Sequence, residues 1–339
     1  MPQVSTLEID TAKQVFQLHG VDAQGNVVLH KRVTRKQLLP LLAQLPPCLV
    51  GLEACGSSHY WGREITKLGH TVKLMAPQAV KLYVQGNKTD GRDVEGICEA
   101  ASRPRVRAVA INSTADQDMQ TLHRVREHCV KMRTALANQL RGVLGEYGFV
   151  VPQGIGRIRK AIPLLVEDAD NGLSDLCREL LWDVYQRMCA LAAEITRYDA
   201  RIAHLAAQSE VCQRLTRVEG VGPLTVTAFV AAVHDPSVFQ NGRLCAAWLG
   251  LVPRQHGTGG KTVLGGVSKR GNASLRRLLL QGALAVLRRV EGKTESRSVW
   301  LQQLRARRGT PIAAMALAHT NARILWALLA TGEVYRHAA

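Results

Sequence analysis

Four acidic side chains in the first hundred residues stand where carboxylates could act together. Asp10 and Glu53 each end a short apolar stretch that the pattern predicts as a β-strand. Asp90 and Asp93 lie three residues apart at a predicted helix start, hence on one helix face, and Thr89 can cap that start. Carboxylate oxygens suit Mg²⁺, and two such ions can stabilise both oxygens of a phosphodiester exchange. We therefore predict a metal site, although each acid alone could be an ordinary cap or solvated side chain.

The elements that would position these acids follow from hydrophobic periodicity. Strand patterns are followed by helix patterns in alternation, which predicts a mixed α/β sheet. The predicted strands are 4–9, 14–19, 27–33, 48–53 and 71–75, and the predicted helices are 34–45, opened by Thr34 as N-cap, and 61–68.

The rest of the chain has mainly helical periodicity. Amphipathic patterns at 112–147 and 173–207 are separated by Pro152 and two glycines, which predicts an antiparallel stalk or a coiled-coil contact between copies. The turn Val218–Pro223 is similar to the hairpin of helix-hairpin-helix modules, whose backbone N–H groups meet phosphates. The predicted division is a metal domain at 1–110, a helical stalk at 111–210 and a C-terminal domain at 211–339.

The charge of the chain points to a polyanionic partner. Lys and Arg number 44 and Asp and Glu 27, a formal net charge of +17. The excess is local, because between Arg254 and Arg308 basic residues outnumber acids by 13 to 2. A uniformly solvated surface would spread that charge more evenly, so we expect a nucleic-acid contact in this stretch.

Cysteine spacing and hydropathy indicate the compartment. The eight cysteines form no C-x-x-C pair, so no zinc knuckle is expected and the reducing cytoplasm is the natural location. The opening MPQVSTLEID lacks the features of a signal peptide. The apolar stretch 312–331 is interrupted by His319, Asn321 and Arg323, which predicts a buried helix and no membrane partner.

Several motifs follow one another along nearly the whole chain. They are Ile9–Lys13, Leu52–Trp61, Asn87–Asp93, Ala100–Arg105, Ala135–Gly142, Ala246–His256 and Ser268–Asn272. Together, and in this order, they resemble the Asp-Glu-Asp-Asp (DEDD) transposases of the IS110 insertion-sequence family, with features of its IS1111 subgroup.

This resemblance implies an α/β plus α architecture. It comprises a RuvC-like, ribonuclease-H-type N-terminal domain, a coiled-coil stalk and a mostly helical C-terminal transposase domain. It also implies a transposase that recombines donor and target DNA, with Mg²⁺ at Asp10, Glu53, Asp90 and Asp93. A structured non-coding guide RNA, the bridge RNA, is implied as a partner. The resemblance further implies a homo-oligomer, dimer or tetramer, whose active sites each combine two protomers.

Thr258 stands at the position of the family's hydroxyl nucleophile. The family has a serine five residues after the proline of a G-L-x-P-R stretch, and here Pro253 is followed at that spacing by Thr258 and then glycine. Ser268 is the rival, although a helix cap before Lys269 is the preferred interpretation of it. His256 could relay a proton or contact a phosphate. The predicted phosphate-binding residues are Lys261, Lys269, Arg270, Arg276 and Arg277.

Two other classes of protein stay open. A RuvC-like nuclease of the junction-resolving type would use the four acids to hydrolyse DNA with water, whereas a recombinase would form a covalent adduct through Thr258. A structural nucleic-acid-binding protein would bind without cleaving strands. An ATPase is disfavoured, because Gly257–Thr262 ends in Gly-Lys-Thr but lacks the spacing of a Walker phosphate loop.

Overall fold

The computed structural model describes residues 3–11, 13–83 and 90–336, except for the side chains of 90–95. Contacts divide the chain into two compact units. Unit 1 comprises Met1–Asp116 and His234–Gln240, and unit 2 comprises Gln117–Val233 and Asn241–Ala339. The helices predicted as a separate stalk are thus grouped with the C-terminal region.

Unit 1 is built on a six-stranded mixed sheet, as the alternating patterns predicted. Its strands are β1 (Thr6–Thr11), β2 (Val15–Val21), β3 (Val27–Thr34), β4 (Leu49–Glu53), β5 (Thr71–Met75) and β6 (Ala108–Val109). Its main helices are α1 (Arg35–Leu42), α2 (Ser58–Lys67), the short α3 (Pro77–Val80) and α4 (Asp90–Ser102). The strand order is β3-β2-β1-β4-β5-β6. Strands β1, β4 and β5 are mutually parallel, while β2, β3 and β6 are antiparallel to their neighbours.

Each face of this sheet carries its own apolar core. Leu7 of β1 packs with Leu38 of α1 and Trp61 of α2 in the larger cluster. Met75 of β5 packs with Ile97 of α4 in the second cluster. Because neighbouring strand residues point to opposite faces, α1 and α2 cover one side and α4 covers the other.

Local chemistry fixes several ends of elements in unit 1. Gln37 Oε1 accepts the backbone N–H of Thr34 at 3.0 Å, half of a capping box that confirms Thr34 as the N-cap of α1. In the β2–β3 turn, Asp22 Oδ1 accepts the N–H groups of Gln24 and Asn26 at 2.9 and 2.8 Å. These contacts lie within a few residues in sequence, so the patterns could predict them.

Unit 1 also includes a short piece from late in the chain. His234 Nδ1 lies 2.9 Å from Asp116 Oδ2, and the Ser113 hydroxyl donates to the same carboxylate. The neighbouring Pro236–Val238 forms a single 3-10 turn, with Asp235 Oδ1 accepting the N–H of Ser237. The polar contacts of Asp116 therefore join two segments that are far apart in sequence.

The two long helices predicted for the stalk are confirmed in α5 (Thr114–Glu146) and α7 (Asp175–Gln208). Between them the structure adds α6 (Ile155–Glu167), which the proline and glycines of this segment concealed. Leu140 of α5, Ile158 of α6 and Leu181 of α7 pack in one cluster. The three helices therefore form a bundle with its own apolar core.

The C-terminal part of unit 2 is mostly helical, with one two-stranded ribbon. Its helices are α8 (Glu210–Leu215), α9 (Pro223–Ala232), α10 (Gly242–Trp248), α11 (Ala273–Leu287), α12 (Ser296–Arg308) and α13 (Thr310–Thr331). Strands β7 (Pro253–Thr258) and β8 (Lys261–Val267) pair antiparallel. By length and composition alone α13 could cross a membrane, but it packs on α10, α11 and α12 with Leu317 and Leu325 buried, as in a core helix.

Candidate active site

Asp10 and Glu53 stand at neighbouring positions on one edge of the sheet. β1 extends two residues beyond the predicted end, so Asp10 lies inside the strand, while Glu53 is the last residue of β4. The parallel register pairs Ile9 with Leu52, which places Asp10 and Glu53 at the next level of the ladder. Both side chains are half-buried. The pairing of β1 with β4 thus brings together two acids that are distant in sequence.

The two acids lie on the α4 side of the sheet. A Cβ built on Gly51 would lie 3.5 Å from Glu8 Cγ and 3.1 Å from the Cβ of Ala101 on α4. Glu8 therefore points toward α4, and Asp10 and Glu53, each two residues further along its strand, share that face. Asp90 and Asp93 lie in α4, the helix that covers this face.

Asp90 and Asp93 can be assigned to α4 but not to the metal site. Their side chains lie outside the described residues, as does Thr89. Within the described ranges, no group of three or more His, Cys, Asp or Glu side chains could hold a metal ion. Two half-buried carboxylates at adjacent strand positions fit a hard cation that also takes phosphate oxygens, so Asp10 and Glu53 suit part of such a site.

Glu8 is a further acid on this face that sequence reasoning missed. It is fully buried, and neither carboxyl oxygen has a hydrogen-bond partner among the described residues. Burial raises the pKa of this carboxyl to about 9. The sequence feature that could have identified Glu8 is its position two residues before Asp10, which puts both side chains on one face of the strand. A charged residue inside an apolar strand had given no reason to expect complete burial.

The chain segments that follow the two acids touch each other. Thr11 Oγ1 lies 2.9 Å from Cys55 Sγ, and the Ser58 hydroxyl donates to the Cys55 carbonyl at 2.9 Å. This contact holds the end of β1 beside the turn that leads from β4 into α2. The spacing of Asp10 and Glu53 is therefore supported by side-chain contacts as well as by the strand register.

Thr258 lies at the tip of a ribbon formed by β7 and β8. Thr258 pairs with Lys261 across a turn of Gly259 and Gly260, whose φ values of 55° and 78° suit a two-residue hairpin. The register also pairs His256 with Val263, so these side chains share the face of Thr258 and Lys261. The tip and both strands are exposed, except for Val267 at the end of β8, which is half-buried. The threonine hydroxyl is thus presented beside a lysine and a histidine.

Ser268 has a different environment. Its Oγ is buried and has no hydrogen-bond partner among the described residues, and its backbone N–H donates to the Val252 carbonyl at 2.8 Å. The helix-cap interpretation was wrong, because no helix begins at Lys269. The next helix, α11, is capped by Asn272, whose side chain accepts the N–H of Leu275. Ser268 instead closes the base of the ribbon.

The basic residues predicted to bind nucleic acid fall into two groups. Arg276 donates to two backbone carbonyls at the base of the ribbon, and Arg277 Nη2 lies 3.0 Å from a carboxylate oxygen of Glu127 on α5. The second group comprises Lys261, Lys269 and Arg270, which are exposed at the ribbon and its base.

The hairpin-like turn between α8 and α9 is present where predicted. Asn321 Nδ2 donates to the Glu219 carbonyl at 2.9 Å, and Gly220, with φ of 79°, lies against the backbone of Gly282 on α11. A Cβ on either glycine would collide with the other segment. This turn is therefore held firmly by α11 and α13.

Comparison with known proteins identifies both halves of the chain. A family model of IS110 DEDD transposases, described as "Transposase", matches residues 8–149. The model described as "Transposase IS116/IS110/IS902 family" matches residues 212–298. The first range includes Asp10, Glu53, Asp90 and Asp93, and the second includes Thr258.

Similar proteins match from end to end. A probable family 20 transposase of Pseudomonas aeruginosa is 48% identical over 98% of this chain and 99% of its own length. The transposase for insertion sequence element IS1111A of Coxiella burnetii is 42% identical over 99% of this chain and 92% of its own. The transposase for IS1328 of Yersinia enterocolitica is 37% identical over 99% of both chains. With strand-end acids in unit 1 and the matched ribbon in unit 2, the chain belongs to the IS110 family of DEDD transposases.

Proposed function

We propose that this transposase cleaves and exchanges DNA strands with the Thr258 hydroxyl as its nucleophile. The observation that carries the proposal is the contrast between the two candidate hydroxyls. Thr258 is exposed at the ribbon tip opposite Lys261, whereas Ser268 Oγ is buried. A nucleophile must reach a phosphorus atom in DNA, and the exposed hydroxyl meets this requirement.

In the proposed step, Thr258 Oγ forms a bond to phosphorus while the bond from phosphorus to a deoxyribose oxygen breaks. The leaving deoxyribose oxygen takes the electron pair of the broken bond and the proton that the threonine hydroxyl loses, so that a deoxyribose hydroxyl is released. Lys261, on the same ribbon face, is placed to contact the phosphate and offset its growing negative charge. Mg²⁺ held by Asp10, Glu53, Asp90 and Asp93 would supply further charge stabilisation when bound.

We infer that unit 1 has a RuvC-like, ribonuclease-H-type fold. The support is topological: three antiparallel strands, β3-β2-β1, are continued by the parallel strands β4 and β5, with helices on both faces. The candidate acids occupy β1, the end of β4 and α4. This arrangement joins the acids through the sheet rather than through one continuous sequence motif.

We further propose a structured guide RNA and a homo-oligomer as partners. The net charge of +17 supports a nucleic-acid partner beyond one short contact. Exposed apolar side chains on the bundle support self-association: Leu164 of α6 is 68% exposed, and Leu176 and Leu180 of α7 are 65% and 56% exposed. Sequencing co-purified RNA and measuring the particle mass by light scattering test both proposals. Protein that carries no specific RNA, or a monomer, would refute the respective proposal.

Four variants test the nucleophile. Thr258→Ala should abolish strand exchange and covalent adduct formation, while Thr258→Ser should keep both because it preserves the hydroxyl. Ser268→Ala should keep activity, and Asp90→Asn should lose it because metal binding weakens. The assay is recombination on a plasmid with donor and target sites, with adducts detected on denaturing gels.

The possible results separate the remaining alternatives. Activity in Thr258→Ala together with its loss in Ser268→Ala would move the nucleophile to Ser268. Cleavage that needs Asp90 but neither hydroxyl, with no adduct, would identify a hydrolase that uses water. Nucleic-acid binding without any cleavage in Mg²⁺ would leave only a structural binding protein.

A further inference from the structure

The orientation of the ribbon formed by β7 and β8 depends on its base, where the two strands join the helices of unit 2. Strands β7 and β8 pack mainly on each other, and no other described helix or strand makes an extensive contact with them. From Pro253 to Leu264 every residue is exposed. An isolated two-stranded hairpin is marginally stable in water. Whatever orients Thr258 within unit 2 must therefore act where the two strands join the helical core.

At the base, two chain segments cross in close contact. Gly250 lies just before β7 with φ of 71°, and Gly271 lies just after β8 with φ of 82°. A Cβ on Gly250 would overlap the carbonyl oxygen of Arg270, and one on Gly271 would overlap that of Trp248. Both backbone conformations favour glycine, and both positions exclude a side chain. The entry and exit of the ribbon are thus interlocked.

Arg276 of α11 joins the two crossing segments. Its Nη1 donates to the Leu249 carbonyl at 2.8 Å, on the entry side, and to the Arg270 carbonyl at 3.0 Å, on the exit side. The side chain is half-buried. A planar guanidinium holds a fixed hydrogen-bond geometry, whereas a lysine ammonium is a point charge on a flexible stem. Arg276 is therefore suited to fixing the base rather than to attracting phosphate by charge alone.

We propose that Arg276 is a positioning residue for Thr258. It acts through the interlocked base, so that the ribbon tip keeps the hydroxyl in line with the phosphorus atom. This proposal rests on the proposed role of Thr258. A displacement of about 1 Å from the reactive geometry can cost on the order of 100-fold in rate. Loss of the guanidinium should therefore slow the chemical step without weakening DNA binding.

The substitution Arg276→Lys separates positioning from phosphate binding, because it keeps the charge and removes the guanidinium geometry. On saturating DNA, we expect the first-order rate of Thr258 adduct formation to fall at least tenfold, with DNA affinity within twofold of wild type. Arg276→Ala should regain part of its rate when guanidinium ion is added. Wild-type rates in Arg276→Lys would overturn the proposal. So would a parallel fall in affinity and rate in Arg276→Ala that guanidinium does not restore.

Amide hydrogen exchange, measured on the whole protein without DNA, tests whether Arg276 fixes the base of the ribbon. The relevant amides at the base are those of Leu251 and Ser268, which donate to the carbonyls of Ala246 and Val252. In Arg276→Lys their exchange should accelerate about tenfold, while the matched control Arg277→Lys should leave it unchanged. Equal protection in Arg276→Lys and wild type would overturn the proposal. Accelerated exchange in a protein that never forms an adduct at Thr258 would instead refute the proposed nucleophile and keep the anchoring.

Discussion

Glu127 on α5 offers a sharp test of how unit 2 is stabilised. Its carboxylate accepts a hydrogen bond from the Ser274 hydroxyl and lies 3.0 Å from Arg277 Nη2 and 3.1 Å from Lys131 Nζ. Its side chain is 21% exposed. Burial alone raises the pKa of this carboxyl, but the hydrogen bonds from Ser274, Arg277 and Lys131 outweigh burial and lower the pKa to about 2.

The expected cost of Glu127→Gln follows from this pKa. The ordinary value is 4.5, so the folded state prefers the ionised carboxylate by on the order of 3 kcal/mol at pH 7. Because the folded pKa is lowered, this stabilisation is fully present above pH 4.5 and is lost as pH falls toward 2. At pH 3 the difference in unfolding free energy between wild type and Glu127→Gln should shrink to on the order of 1 kcal/mol.

Urea unfolding followed by tryptophan fluorescence at pH 7 and pH 3 measures both values. The matched control is Glu291→Gln, since Glu291 faces Arg305 at 3.3 Å but has an 85% exposed side chain. Such an exposed pair contributes less than about 1 kcal/mol. Equal losses in the two variants, or a Glu127→Gln loss that is independent of pH, would refute the reasoning.

Two further substitutions test backbone conformation and burial by the same unfolding measurement. Gly271→Ala should destabilise unit 2 by roughly 3 kcal/mol or more, because φ is 82° and the new Cβ meets the Trp248 carbonyl. Gly266→Ala has nothing within 4 Å of the new Cβ and should change stability far less, so equal effects would count against the interlock. Glu8→Met should stabilise the protein by about 1–3 kcal/mol, because it removes a buried carboxyl without a described partner. A loss of stability would show that this carboxyl makes a favourable contact.

The first half of the fold could be predicted because its signals are local. β5 spans Thr71–Met75 as predicted, and β2 and β3 flank the predicted turn at Asp22. The cap at Thr34 could also be predicted, since it depends on a few adjacent residues. The proximity of Asp10 and Glu53 could also be predicted, because acids at the same ends of parallel strands lie at one edge of the sheet.

The ribbon was not predicted, because Pro253–Val267 has no alternation of buried and exposed residues. All of its faces are exposed near the tip, so the period-two pattern that marks a half-buried strand is absent. The structure of the ribbon base could not be predicted from the sequence either. The contacts among Gly250, Gly271 and Arg276 depend on how α11 meets the chain before β7, and no short sequence pattern encodes such a meeting. Sequence reasoning therefore took Arg276 as a phosphate contact from its charge alone.

Unit 1 is made of two separate chain segments, and this affects how it folds during protein synthesis. The sheet can form as soon as β6 has left the ribosome, but His234–Gln240 is made only after the whole α5–α7 bundle. Until then Asp116 lacks its contact with His234. Domains made in sequence order can fold one after another, whereas unit 1 is completed only after a distant segment has been made. A nascent chain that pauses before residue 234 would carry a folded sheet without the contact between Asp116 and His234. A fragment that stops at Asp116 would also lack this contact.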